Sequence, residues 1–76
     1  MKQAVVAVVG ATGLVGSTIL QALESRHFPV GKLIPLASAR SAGHKVTFRG
    51  QEITVQLLDE NSFAGVDIAL FAAGGA

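Results

Sequence analysis

Residues 4–9 form an unbroken run of Ala and Val, AVVAVV, that stops at Gly10. A strand with one face in water alternates apolar and polar residues. This run has no polar position, so it predicts a strand covered on both faces, as in a parallel sheet. Over 13–26 the period lengthens. Val15, Ile19, Ala22 and Leu23 fall on one helical face and Ser17, Gln21, Glu24 and Ser25 on the other, which predicts an amphipathic helix. His27, Phe28 and Pro29 end it, because a proline disfavours helical geometry in the residue before it. A second strand is expected over 32–38, with Pro35 disturbing its ladder. Strand, helix and strand then make one βαβ unit.

Residues 39–44 are small and polar and predict the loop after that strand. Two alternating segments follow, 45–49 and 52–57, separated by Gly50 and Gln51, the two-residue spacing of a hairpin. Asp59, Glu60, Asn61 and Ser62 predict the start of a short helical turn, and 67–73 is a further strand of buried type. The fold class that results is α/β: a partial Rossmann-type sheet, doubly wound and mainly parallel, with a β-hairpin insertion. The chain stops at Gly74, Gly75 and Ala76, where the crossover to the next element of such a sheet is due. Residues 1–76 are therefore expected to be the N-terminal part of a larger nucleotide-binding domain, with any catalytic or dimerisation domain elsewhere.

Composition strengthens that expectation. Half of the 76 residues are hydrophobic and only 14% are charged, against about 25% charged in an ordinary soluble domain. A lone domain of this length buries only about 60% of its unfolded surface, which is little interior for so apolar a chain. A net charge of +1, with no Trp, no Tyr and no basic run, argues against a nucleic-acid surface of phosphate contacts and stacked bases. The absence of Cys excludes a disulfide framework, a thiolate metal site and a Cys nucleophile from this chain. Lys2 and the apolar run after it superficially resemble a secretion signal. Three glycines and a Thr interrupt that run, and it falls short of the roughly 20 residues that span a bilayer. The expectation is a cytoplasmic protein with no membrane partner.

The candidate chemistry begins with GATGLVG, Gly10 to Gly16, between the buried strand and the amphipathic helix. Gly10 allows a tight turn, Gly13 leaves bare backbone where a phosphate can approach, and Gly16 lets the helix pack close to the strand. The helix N-terminus adds N–H donors and the positive end of its dipole, and Thr12 a hydroxyl. The spacing is G-x-x-G-x-x-G, not the more common G-x-G-x-x-G. In its strand-to-helix context it points to a dinucleotide.

The second feature lies at the end of the second strand. A chain that binds NAD places an Asp or Glu there, about 20 residues after the glycines, to hold the ribose 2′-OH. Here the stretch is ASARSAG and contains no acid. Ser38, Arg40 and Ser41 instead offer hydroxyls and a guanidinium, the groups suited to a 2′-phosphate. The cofactor expected is NADP. Gly74 and Gly75 follow the last strand at the edge where open α/β sheets place ligands. His27 and His44 have no metal-ligand spacing and predict structural or surface roles. Phe48, Phe63 and Phe71 are assigned to the core, and Glu24, Glu52 and Glu60 form no recognisable acid–base pair.

Together VAVVGATGLVG, LESRHFPV, LASARSAG, TFRGQEITV and DIALFAAGG closely resemble the amino-terminal part of the aspartate-semialdehyde dehydrogenase family, over essentially all 76 residues. The resemblance implies an NADP-dependent oxidoreductase of lysine, threonine and methionine biosynthesis. It reduces L-aspartyl 4-phosphate to the semialdehyde with release of phosphate, and its parent assembles as a homo-oligomer. Carried over by position, Thr12, Gly13, Leu14 and Val15 contact the cofactor phosphates, Arg40 and Ser41 the 2′-phosphate, and Ala73 and Gly74 neighbour the cofactor. The family's Cys nucleophile, its acid–base His and its substrate Arg lie downstream, so this chain alone is expected to be inactive. Ala72 stands where many relatives have a Ser, which removes a hydroxyl contact there. Three alternatives stay open. N-acetyl-glutamyl-phosphate reductase opens with a similar glycine turn, a reductase of extended short-chain type needs a Tyr that this chain lacks, and a non-catalytic NADP-binding module needs no Cys.

Overall fold

A computed structural model describes residues 3–72 of the chain. The elements run β1 (Ala4–Val9), α1 (Leu14–Ser25), β2 (Val30–Ala37), β3 (Lys45–Phe48), β4 (Gln51–Thr54), β5 (Gln56–Leu57) and β6 (Ile68–Phe71). Four strands form one sheet in the order β5-β2-β1-β6, and each neighbouring pair is parallel. Strands β3 and β4 form a separate antiparallel ribbon. The α/β class with a hairpin insertion is therefore present as the hydrophobic pattern predicts.

The all-apolar run becomes β1, flanked by β2 and β6. Val6, Ala7 and Val8 are completely buried. Val6 and Val8 share a core with Leu20 and Leu23 of α1, Val30 and Leu33 of β2, and Phe48 of the hairpin. Each such side chain stabilises the fold by about 1.5–3 kcal/mol relative to exposure.

Helix α1 differs from expectation in the face it buries. Gly16, Leu20 and Leu23 point inward, whereas Val15 is 45% exposed, Ala22 is exposed and Ile19 is half-buried. The reason is steric: the helix packs so closely on the loop after β1 that only a residue without a side chain fits at the contact. Turning Gly16 inward fixes positions 20 and 23, one and two turns later, as the buried stripe. Its C-terminus is set by backbone geometry before Pro29 is reached. The His27 N–H donates to Glu24 O (3.1 Å) and the Phe28 N–H to Leu23 O (3.1 Å), with His27 in the left-handed region at φ 52°. That pair of bonds is a Schellman motif, and Phe28 packs back on the core.

Strand β2 starts two residues earlier than the pattern predicts and ends one earlier, and it accommodates Pro35 at a place where no donor is missed. The Leu36 carbonyl faces β1, accepting from the Gly10 N–H at 2.8 Å, and the Ala37 carbonyl faces β5, accepting from the Leu58 N–H at 2.8 Å. By alternation Pro35 faces the β5 side, and β5 pairs only with Leu36 and Ala37. The missing N–H thus falls where no strand pairs with β2, and no ladder bond is lost.

The hairpin turn sits one residue earlier than predicted, at Arg49 and Gly50, with Phe48 opposite Gln51. Both turn residues have positive φ, 53° and 78°, the signature of a type I′ turn. The segment 52–57 is not one strand. It breaks at Val55, which is 1% exposed, and Gln56 and Leu57 leave the ribbon to pair with β2. Residues 59–62 form hydrogen-bonded turns without a helix: the Asn61 N–H donates to Asp59 Oδ1 (2.8 Å) and the Ser62 N–H to Asp59 O (3.1 Å). A short polar side chain that satisfies the local N–H groups competes with helix formation. The last strand is shorter than 67–73. Asp67 precedes it and clips it to β1, since its N–H donates to Val5 O (2.9 Å) and its Oδ2 accepts from the Val5 N–H (2.8 Å).

Of the three phenylalanines assigned to the core, only Phe48 is buried. Phe63 is 37% and Phe71 64% exposed, with ring centroids 6.0 Å apart. Ile68 and Leu70 of β6 pack on the α1 side, so alternation turns Phe71 to the opposite face of the sheet. Residues Ala73, Gly74 and Gly75, singled out from the sequence, lie outside the described residues.

Candidate functional site

The sheet grows from β1 through β2 to β5 on one side, and the chain then crosses back to place β6 on the other side of β1. Strand order therefore reverses beside β1, and in open α/β sheets ligands bind at the carboxyl ends of the strands flanking that reversal. A cleft of about 400 Å³ opens there, lined by Val9, Gly10, Thr12, Gly13, Ala37, Ser38, Ser41, Leu58 and Ala72.

Three glycines shape its floor for three different reasons. Gly10 has φ 82°, and a Cβ there would lie 3.0 Å from Ala72 O, so both conformation and space demand glycine. Gly16 is buried beneath the loop, where a Cβ would lie 2.2 Å from Gly10 O and 2.7 Å from the Ala11 Cα. Gly13 is neither strained nor crowded by the protein: φ is −80° and a Cβ would meet only Gly10 O, at 3.6 Å. It caps α1, donating its N–H to Gly10 O (3.1 Å) while its carbonyl accepts from the Ser17 N–H (2.9 Å).

The first N–H groups of a helix have no acceptor within it. Helix α1 has no side-chain cap and no acid in its first turn, so no side chain compensates those donors or the dipole end, which begins at Gly13 in the cleft lining. Thr12 and Gly13 are exposed and line the cleft, whereas Leu14 is 85% exposed and, like Val15, is not in its lining. Any part Leu14 and Val15 play there falls to their backbone N–H groups.

The second predicted feature faces the first across the cleft. The Ser38 carbonyl accepts from the Ser41 N–H (3.0 Å) and the Ala42 N–H (2.9 Å), closing a turn that sets both serines in the lining. Arg40, between them, is exposed and outside the lining. The walls are otherwise uncharged, which leaves Arg40 as the nearest cation in sequence to the two serines.

Sequence reasoning missed Leu58, which forms an apolar wall beside Ser38 and Ser41. The available signal was the apolar pair Leu57 and Leu58 just before the 59–62 turns, at the end of a strand rather than inside one. His27 is taken up by the helix terminus, and the His44 carbonyl accepts from the Val55 N–H (2.7 Å). Among the described residues no three His, Asp or Glu side chains gather as a metal site, and no helix is long and apolar enough to cross a membrane.

Comparison with known proteins places this geometry in a family. Residues 5–76 match the family model described as semialdehyde dehydrogenase, NAD binding domain. The chain is 61% identical over 71 residues to an aspartate-semialdehyde dehydrogenase of Aquifex aeolicus (strain VF5), covering 92% of this chain and 21% of that protein. It is 49% identical over 71 residues to a USG-1 protein homolog of Azotobacter vinelandii, covering 93% of this chain and 21% of that protein. A crystal structure of aspartate semialdehyde dehydrogenase II from Vibrio cholerae superposes with a TM-score of 0.88 at 47% identity, over 95% of this chain and 24% of that one. The chain thus spans about a fifth of the length of the curated relatives it matches. With the model of the NAD binding domain matching all but its first four residues, the chain belongs to the semialdehyde dehydrogenase family.

Proposed function

We propose that this chain is the amino-terminal, NADP-binding portion of an aspartate-semialdehyde dehydrogenase that reduces L-aspartyl 4-phosphate to L-aspartate 4-semialdehyde. The observation that carries the reading is the meeting, in one cleft at the strand-order reversal, of the α1 glycine loop and the Ser38–Ser41 turn. In this reading the pyrophosphate lies against Thr12, Gly13 and the Leu14, Val15 and Gly16 N–H groups. Gly10 and Gly16 act by keeping the loop low, and Leu58 walls the adenosine end. Ser38, Arg40 and Ser41 hold the 2′-phosphate, and the absence of an acid in ASARSAG favours NADP over NAD. Ala73 and Gly74 are assigned to the cofactor's neighbourhood by resemblance alone. The bound nicotinamide supplies the hydride; this portion binds and orients the cofactor. The Cys nucleophile of the family's chemistry belongs to the rest of the parent enzyme, which we take to be a cytoplasmic homo-oligomer.

The test is Arg40→Ala, followed by amide-correlation NMR titration with NADP and with NAD. Hydrogen bonds to charged groups contribute about 1.5–3 kcal/mol, so NADP affinity should fall roughly ten- to a hundredfold while NAD binding is largely kept. Equal weakening of both would remove the 2′-phosphate assignment. A second reading, a non-catalytic NADP-binding module, draws support from the USG-1 homolog, a relative of comparable identity that is not named as a dehydrogenase. The parent protein's ability or failure to reduce an acyl phosphate with NADPH separates the two.

A further inference from the structure

We propose that the β3–β4 hairpin is a strut that positions the 38–44 loop, and that Arg49, at the tip far from the cleft, thereby helps set the preference for a 2′-phosphorylated cofactor. The inference rests on the NADP reading above. It is built from how the two ends of the hairpin are held.

The tip is held by Arg49. Its backbone N–H donates to Glu24 Oε1 of α1, its Nη2 to the Phe28 carbonyl and its Nη1 to the Val30 carbonyl at 3.2 Å. The guanidinium carbon also stands 5.1 Å from the centroid of the Phe48 ring, itself buried in the core. These acceptors lie at the end of α1 and the start of β2. The base is held by Val55, whose N–H donates to His44 O (2.7 Å) and whose carbonyl accepts from the Gly43 N–H (2.8 Å). Directly after Val55, β5 pairs with Leu36 and Ala37, the last residues of β2.

The hairpin therefore runs the length of β2, fixed to its beginning by Arg49 and to its end by Val55 and β5. Ala37 enters the 38–44 loop from the sheet, and Gly43 and His44 leave it into the Val55 clasp. Between them the Ser38 carbonyl closes the turn. Among the described residues the exposed Arg40 side chain donates no hydrogen bond, so only this backbone frame aims it. Arg49 is a positioning residue: loosening the tip lets the ribbon pivot on its base, and the clasp passes that motion to Ser38, Arg40 and Ser41. The glycine loop meets the hairpin only by side-chain packing, through Val46 and Thr47 beside Ala11 and Thr12, and its own backbone bonds go to Leu36 O at the end of β2.

The experiment is Arg49→Asn, read by amide-correlation NMR and by titration with NADP and NAD. Asn tolerates the left-handed turn conformation, so the turn and the backbone bond to Glu24 are kept while the two guanidinium–carbonyl bonds and the contact with the Phe48 ring are lost. Amide shifts are expected to be largest over 38–44 and at Val55, where the hairpin is hydrogen-bonded, and smaller over 10–16, which it meets by packing alone. The NADP-over-NAD preference should fall roughly tenfold, equivalent to one charge-assisted hydrogen bond, with NAD affinity within about twofold of the parent chain. Unmoved loop amides, or an equal loss for both nucleotides, would overturn the proposal. If the Asn variant collapses, Arg49→Lys, which keeps the charge and drops the two-carbonyl fork, is read by the same criteria. A parent chain that binds neither nucleotide sinks the cofactor reading and with it the specificity role; the 38–44 shifts then decide the strut alone.

Discussion

Gly13 and Gly16 occupy the same heptapeptide, yet the structure assigns them opposite consequences on substitution by Ala. At Gly16 the new Cβ would sit 2.2 Å from Gly10 O and 2.7 Å from the Ala11 Cα. Both are main-chain atoms that cannot rotate away, so the first turn of α1 must lift off the loop after β1. Overpacking of that kind costs about 1–3 kcal/mol and sometimes more, and rigid backbone on both sides places this site at the upper end. Better helix propensity returns about 1 kcal/mol, leaving a net loss of about 2 kcal/mol. At Gly13 the Cβ meets Gly10 O at an ordinary 3.6 Å and φ is already suited to any residue. Ala caps a helix less well than Gly, but it also restricts the unfolded chain, and the two nearly cancel. Gly13→Ala should therefore unfold within about 1 kcal/mol of the parent, yet its methyl enters the cleft and should weaken nucleotide binding at least about tenfold. The assay is urea unfolding followed by far-ultraviolet circular dichroism, since the chain has neither Trp nor Tyr. With a slope near 1 kcal/mol per molar, Gly16→Ala should lower the midpoint by about 2 M. Equal midpoints for the two variants would refute the packing argument, and unweakened binding by Gly13→Ala would refute the placement of the phosphate.

Two stability predictions follow from other backbone features. His27→Gly relieves a left-handed residue in the Schellman motif and should stabilise the chain by about 1 kcal/mol, raising the melting temperature by about 4–8 °C; an unchanged or lower melting temperature would show that His27 makes compensating contacts. Asp67→Ala removes the carboxylate that accepts the Val5 N–H and should cost about 1 kcal/mol, discounted for exposure. Hydrogen exchange should then quicken at the Val5 amide while the β1–β2 amides stay protected.

The βαβ core and the glycine loop were legible in the sequence because each rests on local rules: an all-apolar run, a change of period, and a glycine triplet between them. What local pattern missed depended on contacts distant in sequence. The inward face of α1 was set by Gly16 meeting Gly10 and Ala11, which outweighed the larger apolar residues Val15 and Ile19. Residues 52–57 read as one alternating strand, but Val55 is claimed by Gly43 and His44, and the remainder by β2. Phe63 and Phe71 look like core by type, whereas the strand's alternation turns Phe71 to the face away from α1. Leu58 joined the cleft through its bond to Ala37, a pairing that periodicity does not report. Ser38 and Ser41 were singled out because the motif carried chemistry suited to a phosphate, and both line the cleft. Arg40 was singled out the same way, and the structure leaves it outside the cleft lining.

The position of β1 between β2 and β6 also bears on how the protein is made. β2 follows β1 after one helix, but the clip between Val5 and Asp67 joins residues 62 apart. At a synthesis rate of about 5–20 residues per second, the second neighbour of β1 emerges about 3–12 s after the strand it must join. Throughout that interval one edge of the most apolar strand has no partner from its own chain. The nascent protein spends seconds with a sticky border that a chaperone, or a neighbouring ribosome's product, can reach first.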